Sequence, residues 1–212
     1  MGKLKKRWIE ERRRDFYHRK ALETGYRSRA VFKLKQMDEK FGLLKEGDTV
    51  LDLGCSSGGW SQYSVERVGM NGRVIGVDTE SMKPLGRGEF NFVHLDIMDH
   101  GSIDELRQAI QGQVDVVLSD LAPDMIGIYQ VDVSKQLTLA KKSLEIAVNL
   151  LRRNGRLVSK VFEGSGSRSI EDETRKHFTK VSRFKPEASR KHSSEFYLVC
   201  IGFRSPQQSR TN

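Results

Sequence analysis

The sequence predicts an α/β fold in which a mostly parallel sheet is covered by helices on both faces. Two observations carry this. Short Val/Ile-rich runs alternate with helical stretches, the pattern of buried parallel strands joined by helices. The first run ends in a glycine-rich turn that leads into a helix, and carboxylates (Asp78, Asp96, Asp120) follow the later runs, where open α/β sheets place their ligands.

The elements follow in order. Residues 1–28 are polar and basic, with Trp8, Phe16 and Tyr17 interleaved. Residues 29–40 (RAVFKLKQMDEK) read as a short helix with Val31, Phe32 and Leu34 facing inward. Residues 49–53 (TVLDL) form an apolar run that stops at Gly54, a buried-strand signal. Strands are likewise predicted at residues 73–78 (RVIGVD), 90–95 (FNFVHL), 114–119 (VDVVLS), 156–162 (RLVSKVF) and 196–201 (FYLVCI), with a seventh near residues 180–184. The clearest helix is 131–151, where Leu137, Leu144, Ala147, Val148 and Leu151 recur at helical spacing and Asn154-Gly155 reads as its stop. There is no internal repeat, low-complexity tract or linker, so residues 1–212 are assigned to one domain, with 1–28 as a basic N-terminal segment.

Composition narrows the function classes. Hydrophobic residues make up 37% and charged residues 31%, a globular chain with a heavily charged surface. No apolar run approaches the roughly 18 residues that cross a membrane, and the basic N-terminus lacks the apolar segment of a secretory signal. The expectation is a cytoplasmic protein with no membrane contact. Cys55 and Cys200 form no C-x-x-C pair, so buried reduced thiols are expected rather than a disulfide framework or a metal site. Residues 1–40 hold 14 Lys/Arg against 6 Asp/Glu, a net +8 of the chain's +9. A basic block of this kind suits nucleic-acid phosphates, and equally a solvated arm with no partner.

Four segments carry chemistry. In Asp52–Ser61 (DLGCSSGGWS) the glycines are spaced G-x-x-x-G-G, which lets the backbone turn sharply and approach a ligand. Ser56 breaks the dinucleotide spacing G-x-G-x-x-G and weakens a nicotinamide reading. Asp78, 20 positions after Gly58, suits ribose hydroxyls, and Asp96 suits an adenine amino group. Ser119–Pro123 (SDLAP) sets Asp120 at the sheet's carboxyl edge, where a loop or capping aspartate is the competing explanation. Lys160 sits inside an apolar run, on the opposite side of the strand from Val161; a lysine there is paired, functional, or snorkelling from the strand end. Glu195 opens the last run and Lys33 lies between Phe32 and Leu34; an edge charge and a helix-surface lysine are their ordinary explanations.

Taken together, five segments resemble the FtsJ/RrmJ family of ribose 2′-O-methyltransferases: GYRSRAVFKL at 25–34, DLGCSSGGWSQ at 52–62, SDLAP at 119–123, KVFEG at 160–164 and KPEASRKHSSEFY at 185–197. The resemblance spans residues 26–203, and the ordered set is far more specific than any member. Cys55-Ser56-Ser57 departs from the family's usual proline-containing loop. The resemblance implies a Rossmann-like, S-adenosylmethionine-dependent methyltransferase fold with seven strands, the last antiparallel. It implies a catalytic tetrad of Lys33, Asp120, Lys160 and Glu195, and cofactor contacts from Gly58, Trp60, Asp78, Asp96 and Asp120. It further implies S-adenosyl-L-methionine as cofactor, no metal, and ribosomal RNA or the large ribosomal subunit as partner, with a uridine in the aminoacyl-tRNA-receiving loop as acceptor. A monomer is the default.

In that reading the methyl passes in line from sulfur to oxygen, and positioning supplies much of the barrier reduction. Lys160 either accepts the hydroxyl proton or orients the hydroxyl and stabilises the developing alkoxide; the base role ranks first. Three alternatives stand beside it. A methyltransferase of the same sheet acting on another RNA stays open, whereas one acting on a protein or a small molecule is opposed by the basic N-terminal end. A non-enzymatic RNA-binding assembly factor is set against the intact tetrad, and a nicotinamide enzyme against Ser56.

Overall fold

The computed structural model describes residues 16–204. The basic stretch 1–15, with Trp8, lies outside the described residues, so the N-terminal segment expected to contact RNA is described only from Phe16 onward.

Helical residues 16–23 (α1) lead to α2 (Val31–Phe41). Then follow β1 (Thr49–Leu53), α3 (Gly59–Val68), β2 (Arg73–Asp78), β3 (Phe90–His94), α4 (Ser102–Ile110), β4 (Val114–Ser119), α5 (Tyr129–Leu150), β5 (Leu151–Phe162), α6 (Ser167–His177), β6 (Phe178–Phe184) and β7 (Glu195–Phe203). The seven strands form one sheet in the order β3-β2-β1-β4-β5-β7-β6. Strands β1 to β5 pair in parallel, whereas β7 runs antiparallel to both β5 and β6. The last strand is therefore the antiparallel one, as the family resemblance implied.

Strand alternation divides the core into two layers. Val50, Val74, Val116, Leu118 and Val158 pack against α2 and α3 through Val31, Leu34, Trp60 and Val65. Their neighbours Leu51, Ile75, Val117, Leu157 and Val161 pack against α4, α5 and α6 through Leu106, Leu144, Ala147 and Ile170. A two-residue period on every central strand thus gives a sheet buried on both faces, the condition under which parallel sheets occur. Chain order reverses at β1, which has β2 on one side and β4 on the other. Such a switch point opens a crevice at the carboxyl ends of the strands.

Several boundaries differ from the sequence expectation. Helix α5 ends at Leu150, and the chain is already extended at Leu151 (φ −70°, ψ 138°). Asn154-Gly155 is accordingly no helix stop but an irregularity inside β5, where the β4–β5 register shifts between Val114 and Val116. Asn154 takes φ 64°, and a Cβ on Gly155 would lie 2.8 Å from the Arg152 carbonyl oxygen. The turn chemistry was visible in the sequence, but the pairing that turns it into a bulge was not. Strand β3 ends at His94, which leaves Asp96 two residues beyond it, and β7 extends on both sides of the 196–201 run.

The β1 and β5 ends away from the crevice are tied by a buried ion pair. Arg156 Nη2 donates to Asp48 Oδ1 at 2.9 Å and Nη1 to the Leu43 carbonyl at 2.7 Å. Replacing Arg156 with Ala leaves Asp48 buried without its partner, and we expect a loss of about 3–5 kcal/mol in chemical denaturation. A loss within the small range of ordinary surface substitutions would show that this pair does not hold the sheet to the α2–β1 connection.

Candidate active site

The glycine-rich turn after β1 is built by backbone hydrogen bonds. Gly54 and Cys55 N–H groups both donate to the Val77 carbonyl, at 2.8 and 3.2 Å, and Gly58 N–H donates to the Cys55 carbonyl at 2.8 Å. Gly54 (φ 75°) has no room for a side chain, because a Cβ would sit 2.7 Å from Leu121 Cδ2. The turn brings Ser56 N–H onto Asp78 Oδ2 at 2.7 Å, while Glu80 N–H donates to Oδ1 at 3.0 Å. Asp78 is thereby fixed at the end of β2. Asp96 is fixed in the same manner by Met98 N–H, 2.8 Å from its Oδ1.

These carboxylates face a cleft of about 450 Å³ whose lining includes Gly54, Asp78, Asp96, Met98, Leu121 and Lys135. Its volume suits a nucleoside-sized ligand. Gly58, Trp60 and Asp120 lie outside this lining, although Leu121, next to Asp120, belongs to it. Gly58 is the N-cap of α3 (φ 84°), crowded by Met82 and Arg27. Trp60 is turned inward: its indole N–H donates to the Ala30 carbonyl at 2.8 Å, and its ring lies 5.8 Å from that of Tyr197.

Past the end of β4 the four tetrad residues come together. Lys160 Nζ donates to the Asp120 backbone carbonyl at 2.8 Å and to Asp120 Oδ1 at 3.0 Å. Lys33 Nζ pairs with Glu195 Oε1 at 2.7 Å. Tyr197 joins the two pairs, for its hydroxyl donates to Asp120 Oδ1 at 2.7 Å and accepts from Lys33 Nζ at 3.2 Å. Antiparallel register makes this possible by setting Lys160 opposite Tyr197 and Phe162 opposite Glu195.

Burial and neighbouring charge act on two members of this cluster, Asp120 and Tyr197. Burial works to raise the Asp120 pKa, but Lys160, Lys33 and the hydrogen bonds from Tyr197 and Lys160 outweigh it, so the carboxyl is held below its usual range. Burial and the charges of Asp120 and Glu195 push the Tyr197 phenol well above its usual value, and it stays a donor. Among the described residues no group of His, Cys, Asp and Glu is arranged to hold a metal ion. Both cysteines are buried and free, as expected from their number and spacing.

A family model described as FtsJ-like methyltransferase matches residues 26–203. The chain belongs to the FtsJ-like methyltransferase family. Over 199 residues it is 41% identical to the ribosomal RNA large subunit methyltransferase E of Methanococcus aeolicus, an alignment covering 94% of this chain and 74% of that protein. With the protein of the same name from Methanobrevibacter smithii it shares 40% identity over 205 residues, 97% of this chain and 98% of the other. The crystal structure of a Plasmodium falciparum protein assigned as a ribosomal RNA methyltransferase matches with a TM-score of 0.75 at 29% identity, covering 85% of this chain and 100% of that one. The Rossmann-like methyltransferase fold inferred from the family resemblance is thus the fold of this chain.

Two features of the candidate site were missed in the sequence. Tyr197 lies two residues after Glu195 and so shares its face of β7; strand alternation alone signals it. The other is Asp52, whose signal is a carboxylate inside the apolar run TVLDL. Asp52 is buried beneath the glycine turn, with Oδ2 accepting the Ser61 hydroxyl at 2.6 Å and Oδ1 unpartnered. Burial pushes its pKa up to about 7, the Ser61 bond opposes the rise, and the charges of Asp120 and Asp78 add to it.

The sign of the resulting pH dependence follows. An unfolded aspartate titrates near 3.9, so between about pH 4 and pH 7 the folded chain keeps a proton that the unfolded chain has released. Asp52 therefore costs stability progressively across that window, on the order of a few kcal/mol by pH 7. In thermal unfolding without ligand, Asp52→Asn should gain on the wild type as pH rises from about 4 to about 7, with no further gain above. A difference that stays constant across this window would show that Asp52 is not held protonated by burial.

Proposed function

We propose that this chain is an S-adenosylmethionine-dependent enzyme that methylates a ribose 2′-hydroxyl in large-subunit ribosomal RNA, with a uridine of the aminoacyl-tRNA-receiving loop as the acceptor. The observation that carries the reading is Lys160, held by Asp120 at the crevice edge beside a nucleoside-sized cleft. The names of the archaeal relatives support ribosomal RNA as substrate.

The cleft suits the cofactor by its donor set. Asp78 and Asp96 offer carboxylate oxygens to ribose hydroxyls and to an adenine amino group, as nucleoside-binding α/β folds do. The charges of Asp78 and Asp120 both reach Asp52 and raise its pKa, and this negative charge around the glycine turn favours a ligand bearing positive charge. Asp120 adds a carboxylate between the cleft and the tetrad, and the turn carrying Gly58 and the core-facing Trp60 set the shape of the glycine loop. When bound, the cofactor supplies a methyl group already activated on a sulfonium.

The residues of the chain perform the rest. Lys160 gives two N–H groups to Asp120, one to the carbonyl and one to the carboxylate, which leaves a single position on its nitrogen. Once the amine has released its third proton, that position carries a lone pair that would take the proton of the ribose hydroxyl; in the ammonium form it is a third N–H that orients the hydroxyl and stabilises the developing alkoxide. Asp120, held charged, fixes the amine's direction. Lys33 and Glu195 pair across Tyr197 and balance the charge around the acceptor hydroxyl. Burial of Lys160 and Glu195 and partial burial of Lys33 and Asp120 limit access of water and make each of these interactions stronger than in solvent.

Two outcomes test the assignment. Asp78→Ala should weaken S-adenosylmethionine binding by about 1–3 kcal/mol in calorimetry, because ribose hydroxyls lose their acceptor; binding of unchanged affinity removes Asp78 from the cofactor site. Lys160→Ala should lower single-turnover methyl transfer to ribosomal RNA by about 10²–10⁴-fold while cofactor binding persists. Lys160→Arg keeps the charge but cannot accept a proton at neutral pH, so it should be nearly as slow. Full activity in the alanine variant rejects a catalytic role, and high activity in the arginine variant rejects the base role alone. Mapping of ribose methylation in ribosomal RNA from cells with and without the protein identifies the acceptor nucleotide.

A further inference from the structure

The segment between Asp120 and α5 carries a surface that neither the cleft nor the tetrad uses. Five of the nine large hydrophobic side chains exposed among the described residues fall within 125–131: Met125, Ile126, Ile128, Tyr129 and Val131. Exposed apolar residues scattered singly need no explanation, whereas a concentration of them marks a contact surface.

This segment is held in place. Asp132 is buried and accepts N–H bonds from Ile126 at 2.9 Å and Gly127 at 3.1 Å, and its own N–H donates to the Ile128 carbonyl at 2.9 Å. Gly127 takes φ 82°, which the turn requires. Tyr129 Oη donates to the Glu163 carbonyl at 2.5 Å. The ring's polar tip is thereby satisfied, while the side chain remains more than half exposed. Glu163 follows Lys160 by three residues, and Met125 follows Asp120 by five. The apolar segment thus spans the two chain segments that bring Asp120 and Lys160 together.

We infer that residues 125–131 form a platform on which nucleobases beside the methylated nucleotide stack. The inference rests on the RNA reading above and adds the means of positioning. Whatever presents a ribose hydroxyl to Lys160 lies next to this segment. A phosphate backbone gains nothing from isoleucine or methionine; the apolar surfaces of RNA are its base faces, and these are free where bases are unstacked in loops. A rigid aromatic face flanked by aliphatic side chains accepts any base, so it contributes affinity and orientation without reading sequence. Because the segment is ordered before binding, little entropy is lost when a base settles on it.

The test uses the full-length protein, deproteinised large-subunit ribosomal RNA as probe, and the variants Tyr129→Ala, Tyr129→Phe and Ile126→Ser/Ile128→Ser. Each of the first and third should lower RNA affinity by about tenfold, and Tyr129→Phe should keep most of it because the ring remains. Stacking displaces no counterions, so the slope of affinity against salt should not change, and S-adenosylmethionine affinity should match the wild type. In the wild type, 4-thiouridine-substituted RNA should crosslink within residues 125–131, a readout that does not depend on the variants. Unchanged affinity in both altered proteins overturns the inference, as does a flattened salt slope or an absence of crosslinks in the segment. A defect seen only with protein-containing subunits overturns it in favour of a ribosomal-protein contact. A wild-type protein that does not bind the RNA at all overturns the underlying RNA reading instead.

Discussion

The arrangement depends on one constraint: the charged groups at the end of β4 are buried or largely shielded from water and must be paired with one another. A carboxylate taken out of water without a partner costs several kcal/mol, and an ammonium costs as much. Asp120 meets that cost with Lys160, Glu195 meets it with Lys33, and Tyr197 links the two pairs through one hydroxyl that both donates and accepts. None of these groups is satisfied unless α2, the β4 end, β5 and β7 are all in register. Removing one would leave another buried and unpaired, so the cluster acts as a single unit.

Buried ion pairs of this kind are weak evidence for stability, since apolar replacements of the same size often do as well. Their value lies in what they hold ready. The hydrophobic sheet supplies the rigidity: Val158 and Tyr197 on one face of the paired strands and Val161 and Leu198 on the other leave the β5–β7 ladder little freedom. Upon that ladder a lysine is aimed by two acceptors from one aspartate. The cleft is positioned by the same sheet, because the switch point at β1 opens the crevice and Gly54 lets Leu121 close against the turn. Asp52 sits beneath, buried and under the charges of two neighbouring carboxylates, Asp120 and Asp78.

The sequence by itself determined the fold class, because short, nearly continuous Val/Ile-rich runs separated by helical stretches can be buried only as a sheet with both faces covered. It placed the glycine turn and the acids at the strand ends, since these depend on local backbone chemistry. It also marked Lys160, Asp120, Lys33 and Glu195, although individually each had an ordinary explanation and only their ordered spacing suggested a family. What the tertiary structure alone decided was who touches whom. That Tyr197 bridges two ion pairs follows from the β5–β7 register, which is set by long-range pairing. That Asn154-Gly155 forms a bulge rather than a helix end follows from β4 lying alongside. That Asp52 is buried with an unpartnered oxygen follows from packing on both faces of β1. Strand alternation and turn propensity act over a few residues and are written in the sequence, whereas register, burial and charge pairing join residues far apart in the chain and exist only once the sheet has closed.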